Sequence, residues 1–537
     1  MSLFWDTPDK LQQLVCELVS WQSVSLTEGE EVFPYKLKEK MEAIPYFQEN
    51  PEHLELGQVN WGRQYLTALY KHADVAETIV LISHFDTVGT EEYGDLEELA
   101  YYPEALTAAF KNVPGELYAD ALADLKSGEY LFGRGIMDMK AGLALHMAMI
   151  EKAAAEQWPI NLVLITVPDE EVNSAGMRYG TQKLLYLARH YQLEYVLFLN
   201  AEPVFPMQPG DENHYVYTGS IGKILPSALF YGRETHVGSP LAGISSSYIS
   251  TYLTRLMEWN PAFRETDHGE STPLPVTIMQ QDLKQGYSAQ TPYRTSAYYN
   301  VIVMKKDADD VLEQFEAVAR EAAANCNQDY LDMCMREGIQ PVGEVSVLRF
   351  DELVEYATGK FGRDYVKDIL TDTVMHPGWD VREKSMHITD VLLINCQELT
   401  PAIVLLFAPP FYPPVNSTGD PLVQACVEQI TENARSKFGL AITQAHYFNG
   451  MSDLSYVNYG DRGDGWIVYE NNTPIYGDDY SIPFETMKRL NAPVMNVGPF
   501  GKDAHKRSER LHKRNAFDEM PVLLEDMIKT ILVKSRS

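Results

Sequence analysis

Three short apolar runs, separated by helix-forming stretches, constrain this chain more than any other feature. They are TIVLIS at 78–83, INLVLITV at 160–167 and EYVLFL at 194–199. Apolar segments of that length, rich in β-branched residues and bounded by polar turns, read as strands buried on both faces. KAGLALHMAMIEKAAAE (140–156) is built from strong helix formers, and 177–190 reads as helix again. Alternation of strand and helix predicts an α/β fold with a mostly parallel sheet and helices on both faces. A helix opens the chain at 5–20, with Asp6 or Thr7 to cap it and Pro8 suited to its first turn. PVMNV (493–497) reads as a further strand.

Near residue 213 the pattern changes. Segments 215–231, 274–287 and 296–305 alternate as half-buried strands do, and 308–326 is an amphipathic helix. PPFYPP at 409–414 reads as a linker, and 419–438 as a helix. The expected organisation is an α/β catalytic domain in two parts, 1–212 and 411–537, interrupted by an α+β lid domain at 213–410.

The 537 residues are long enough for several domains, and none of the five scattered cysteines forms a C-x-x-C pair. Any metal is therefore expected on histidines and carboxylates. A net charge of −32 disfavours nucleic acid as a partner. No signal peptide and no membrane-length apolar stretch is read, so the expected location is the cytoplasm, with no membrane partner.

Five segments carry candidate chemistry, each at a strand end or in a loop, where open α/β sheets gather their ligand sites. SHFDTVG (83–89) offers His84 as a ligand, with Asp86 placed to orient it. GRGIMDMKAG (133–142) offers Asp138, which can bridge two cations or simply cap the following helix. PDEEVNSAGMRYG (168–180) puts three carboxylates at the end of a buried strand: an acidic turn, or a ligand beside a general base. NAEP (200–203) offers Glu202, and NVGPFGKDAHKRSERLH (496–512) offers His505. Singly, each has a plain structural reading. Together, two histidines and three carboxylates fill a two-metal site of the zinc type, and Glu170 is left to take a proton from water.

In this order, H-x-D, G-R-G-x-x-D-x-K, D-E-E, E-P and a late Gly-rich turn before a His resemble the M20 family of metallopeptidases and deacylases. Overall length, N-terminal sequence and the long insertion resemble its arginine-utilisation RocB-type members most. The resemblance implies a phosphorylase/hydrolase-like catalytic domain with an inserted lid. It implies His84 and Glu202 on one metal, Glu171 and His505 on the other, Asp138 between them, Glu170 as general base and Asp86 orienting His84. Two divalent ions are expected, Zn with Co or Mn as substitutes.

YGRETHVGSP (231–240) resembles the family's G-x-x-x-H-x-x-x-P stretch, which makes His236 a candidate oxyanion stabiliser, on its own subunit or from a partner's. FNGMSDLSYV (448–457) resembles its Gly-x-x-Asp loop, with Asp453 in a structural role. Arg134 and Lys140 are expected to support the Asp138 loop. Arg294 is a candidate grip for a substrate carboxylate.

The expected activity is hydrolysis of an amide bond in a small carboxylate-bearing substrate, an N-acyl amino acid or short peptide, linked to arginine catabolism. A homodimer through the lid is also expected. The alternatives are a non-catalytic amino-acid or peptide binding protein on the same fold, or a scaffold. An acidic, tyrosine-rich insert at about 90–128 departs from the family pattern and reads as a surface excursion or as a wall shaping the pocket. The enlarged lid and VNSAG after PDEE depart from it too, and the family's usual D-x-R is not placed in the lid. No G-x-S-x-G is found, which disfavours a serine hydrolase.

Overall fold

In the computed structural model residues 3–534 are described, apart from 61, 74, 114, 116, 209, 285, 375–377, 461, 462 and 478. The chain divides into two compact units. The first comprises Met1–Ser220, Val415–Gly460 and Pro483–Ser537, and the second Ile221–Pro414 and Asp461–Ile482.

In the first unit the apolar runs are strands Glu77–His84, Asn161–Val167 and Glu194–Asn200, joined by Val494–Asn496. These four run parallel at the centre of an eight-stranded sheet, with Ile82 beside Ile165, Leu81 beside Leu199 and Val494 beside Phe198. The flanks are not parallel to the centre. Gln64–Tyr70 pairs antiparallel with Asn161–Val167, and Leu54–Gln58 antiparallel with Gln64–Tyr70. His214–Tyr217 meets Val494–Asn496 antiparallel and pairs with Ile442–Ala445 in parallel. The sheet is mixed, with a parallel core.

Both faces are covered. Successive strand residues point to opposite sides. Leu162 and Leu164 join the hydrophobic core with helices Pro8–Ser20, Ala141–Glu156 and Met520–Lys534. Ile165, one residue on, faces helix Ala175–His190. There a Cβ on Gly180 would lie 2.6 Å from Ile165 Cδ1, so any larger residue would make the Ile165 side chain shift. The first helix starts as its sequence suggests: Thr7 Oγ1 accepts from the Lys10 N–H and Pro8 occupies the first turn.

The second unit has a five-stranded sheet in the order Val276–Asp282, Arg294–Val303, Gly222–Tyr231, Ala402–Tyr412, Ser346–Arg349. Its long helix, Ala308–Glu337, runs well past residue 326. An Asp307–Asp310 capping box starts it and Gly338, at φ 69°, ends it.

The linker expected at 409–414 is corrected. Residues 402–412 form a continuous buried strand, and the prolines sit where its pairing with Gly222–Tyr231 slips between Ala408 and Tyr412. A proline lacks the N–H that a regular ladder needs, and such an irregularity does not require it. The return of Asp461–Ile482 to the second unit is anchored by the Phe407 N–H, which donates to the Asn472 carbonyl at 2.7 Å.

Candidate metal centre

The candidate ligands of the first unit leave the sheet at the carboxyl ends of its parallel strands, as such folds dispose their sites. His84 is the last residue of Glu77–His84, and Glu202 follows Glu194–Asn200 by two. Glu170 and Glu171 lie in the turn after Asn161–Val167. Asp138 lies in the turn entering helix Ala141–Glu156, beside a cis Asp138–Met139 peptide. His505 comes from the loop beyond Val494–Asn496. Gly498 begins that loop: a Cβ there would fall 2.1 Å from the Glu202 carbonyl, so the close approach of these two segments requires glycine.

These side chains converge. Asp138 Oδ1 is 3.2 Å from His84 Nε2, and Asp138 Oδ2 is 3.1 Å from His505 Nε2. Glu202 Oε1 is 3.6 Å from His84 Nε2, and Glu171 Oε1 is 3.0 Å from His505 Nε2. Asp138 thus stands between two His–Glu pairs. Ligand atoms of His84, Asp138 and Glu171 all lie within 4.8 Å of one another.

The chemistry of the donors fits cations. Asp138, Glu170, Glu202 and Asp453 are buried, and Glu171 nearly so, against two imidazoles. Such an excess of buried negative charge is costly unless positive charge compensates it. Imidazole and carboxylate are ligands that zinc-type ions accept.

The electrostatics follow from the crowding. Burial and the carboxylates of Glu202, Asp453 and Glu171 push Glu170 well above the ordinary carboxyl range, with His84 opposing. Burial works against a charged His84, yet Glu202, Asp138 and Asp86 outweigh it and raise its pKa well above normal. For His505, Asp138 and Glu171 overcome partial burial and lift it to about 11.

Around the ligands lies a set of supports. Asp86 is fully buried. Its carboxylate accepts from Ser25 Oγ at 2.7 Å and from the N–H groups of Glu170 at 3.1 Å and Glu171 at 3.3 Å. His84 Nδ1 is 3.0 Å from the Asp86 carbonyl and 3.5 Å from its carboxylate. Such a contact sets the ring's orientation and leaves Nε2 facing Asp138. Asp169, at φ 70°, accepts from Arg63 Nη1 at 2.6 Å and from the Ala175 N–H at 2.9 Å. Lys140 Nζ donates to the Trp21 carbonyl at 2.8 Å.

Arg134 ties three ligand-bearing segments together. It donates to the Gly89 carbonyl at 3.0 Å, to Glu509 Oε2 at 2.7 Å and to Glu92. Sequence reading missed Ser25, Arg63 and Glu509, which lie outside the motifs or among ordinary charged residues. Asp453, read as structural, is fully buried among the site's carboxylates. Burial pushes it to about 7, with His84 opposing.

His236 and Arg294 belong to the second unit. His236 is exposed on a turn, where its Nδ1 accepts from the Gly238 N–H at 3.0 Å. Arg294 is half-buried, bonded to Asp390 and stacked on the Tyr293 ring at 4.7 Å.

Comparison with known proteins bears on this centre. Residues 80–480 match the profile of Peptidase family M20/M25/M40. The chain is 39% identical over 543 residues to the uncharacterized protein YqjN of Bacillus subtilis, covering 99% of this chain and 98% of that one. It is 30% identical over 549 residues to Protein RocB of the same organism, covering 98% and 96%. Among solved structures it resembles the M20 family metallo-carboxypeptidase Sso-CP2 from Sulfolobus solfataricus, with a TM-score of 0.56 at 12% identity over 97% of this chain and 99% of that one. Aminopeptidase PepT from Bacillus cereus gives 0.53 at 13% over 98% and 99%, a likeness of fold.

Proposed function

This chain belongs to peptidase family M20/M25/M40, hydrolases of amide bonds, and on that footing we propose that it is a two-metal hydrolase. Its substrate would be a small carboxylate-bearing amide, an N-acyl amino acid or short peptide. The observation that carries the reading is Asp138 standing between the His84–Glu202 and His505–Glu171 pairs. His84 and Glu202 would hold one ion, His505 and Glu171 the other, and Asp138 both. When bound, zinc-type ions supply Lewis-acid polarisation of the carbonyl and acidify water.

The rest of the chemistry belongs to side chains of this chain. Glu170 takes the proton of the attacking water and returns it to the leaving amine. Its crowded, buried position raises its proton affinity, which suits a group that must accept and then release a proton. Asp86 holds His84 in orientation and, through the Glu170 and Glu171 N–H groups, fixes the turn that carries base and ligand. The roles implied for His236 at the oxyanion and Arg294 at a substrate carboxylate belong to the same proposal, as do a cytoplasmic location and a homodimer through the inserted domain. The link to arginine use rests on the resemblance to RocB-type members.

The test is elemental analysis of metal per chain after reconstitution with zinc, cobalt or manganese, for wild type and Asp138→Ala. About two ions in the wild type and clear loss in the variant support the site. A wild type that takes up no metal sinks the hydrolase reading and favours a binding protein on the same fold.

A further inference from the structure

The insert at about 90–128 folds into helical segments Glu91–Leu99, Pro103–Phe110 and Ala119–Ser127 within the first unit. Two of its residues, Tyr118 and Asp120, help to line a cavity of about 720 Å³. That is within the range of small-molecule sites, roughly 300–1,000 Å³. The other walls come from two segments next in sequence to proposed ligands. One, Phe205–Gln208 with Gly210–Glu212, begins three residues after Glu202, and the other is 502–506, which holds His505. Ala504 and Lys506, on either side of His505, both line the cavity.

The lining combines an apolar surface with an acidic rim. Tyr118 is 77% exposed, and Phe205 and Met207 stand on the facing loop. Several charges are already committed to structure. Asp211 accepts from the Met207 and Asn213 N–H groups and from Tyr215 Oη, which fixes the 205–212 loop. Asp503 accepts from Ser508 and Arg510. Lys502 donates to Asp124 and Glu212, both at 3.0 Å. The exposed charges are Asp120 and Glu212, with side chains 63% and 75% exposed, against Lys506 at 66%. Asp120 is ion-paired with Arg510, and Lys506 with Asp503. The open rim therefore favours positive charge beside an aromatic face.

We propose that this cavity is a specificity subsite that takes the side chain of the residue whose amide is cut, and that it prefers a cationic, guanidinium or ammonium, side chain. The apolar stem of such a side chain lies along Phe205 and Met207, its head faces Tyr118, and Asp120 and Glu212 supply the counter-charge. The proposal rests on the amide-hydrolase reading of the adjoining centre and adds to it the role of the insert.

The experiment measures kcat/KM of the zinc-loaded full-length protein on N-acetyl-L-arginine, N-acetyl-L-lysine, N-acetyl-L-norleucine and N-acetyl-L-glutamate. Wild type is compared with Tyr118→Ala, Glu212→Gln and Glu212→Lys, whose targets are exposed, and with Asp120→Asn, checked for an unchanged thermal midpoint. The expected result is a preference for the cationic substrates over norleucine of about tenfold or more in the wild type. That ratio falls severalfold in each variant, and Glu212→Lys moves the ranking toward glutamate. Norleucine and arginine substrates cut equally well by the wild type, or a ratio that none of the variants moves, overturns the subsite and leaves the hydrolase reading intact. Failure of metal-loaded protein to cut any of the four, or the glycyl dipeptides of the same residues, overturns both.

Discussion

Arg134 donates through Nη1 to Glu509 Oε2 at 2.7 Å, with the two side chains 1% and 0% exposed. The pair lies 375 residues apart in sequence and joins the Asp138 turn to the loop that holds His505. Glu509 Oε1 also accepts from the Met137 N–H at 3.4 Å, one residue before the bridging aspartate. Burial, with Asp138 near, pushes the Glu509 carboxyl up to about 7 against the pull of the Arg134 guanidinium.

Removing one partner of this pair has a definite cost. Glu509→Ala leaves Arg134 buried beside the more exposed Glu92 alone, and loss of a buried ionic partner costs about 3–5 kcal/mol. Because the pair aligns two ligand-bearing segments, metal affinity falls about 10–100-fold. Denaturant unfolding and competitive metal titration measure these. Wild-type stability and affinity in the variant would show that the pair does not hold the centre.

Glu170→Gln separates the base from the ligands. The amide keeps the side chain's shape but accepts no proton, so kcat falls by about 10²–10⁴. Metal content stays that of the wild type, since Glu170 is not among the proposed ligands. Steady-state kinetics on the best substrate, with elemental analysis, tests this. Loss of metal along with activity would make Glu170 a ligand instead.

His146 gives a stability prediction remote from the chemistry. It sits on helix Ala141–Glu156, fully buried, and neither ring nitrogen has a hydrogen-bond partner among the described residues. Burial alone lowers its pKa from 6.5 to about 3. The folded state thus favours the neutral ring. Its contribution is whole above the unfolded pKa and is lost as pH falls from 6.5 toward 3. His146→Leu removes that loss, so the variant gains on the wild type as pH drops, by about 3 kcal/mol at pH 4. Urea unfolding at pH 7, 5.5 and 4 measures the gap. A gap that stays constant with pH would refute it.

Much of the site could be read in the sequence because its ligands are set by short-range rules. His84, Glu171 and Glu202 stand within four residues of the end of an apolar strand, and a strand end is a local signal. The supports could not be read this way. Arg63 and Asp169, or Arg134 and Glu509, meet only after the sheet has ordered its strands. Strand order itself depends on which edges pair, and the antiparallel flanks come from segments whose alternation says nothing of direction. PPFYPP was misread for a related reason: prolines mark turns in general, but a strand with slipped pairing accepts them. The excursion of Asp461–Ile482 into the second unit starts at a Gly/Asp-rich run, YGDRGDG at 459–465, but such a run marks a loop and does not say which unit the chain enters next.

The candidate centre takes four ligands from the first 202 residues and the fifth, His505, from near the end of the chain. During synthesis, about 300 residues must be added after Glu202 before His505 exists, some 15–60 s at about 5–20 residues per second. Through that interval the nascent chain carries the carboxylates of Asp138, Glu171 and Glu202 with one histidine to oppose them. The centre is therefore completed only late in synthesis, and a chain halted before residue 505 has one half of the centre without its imidazole.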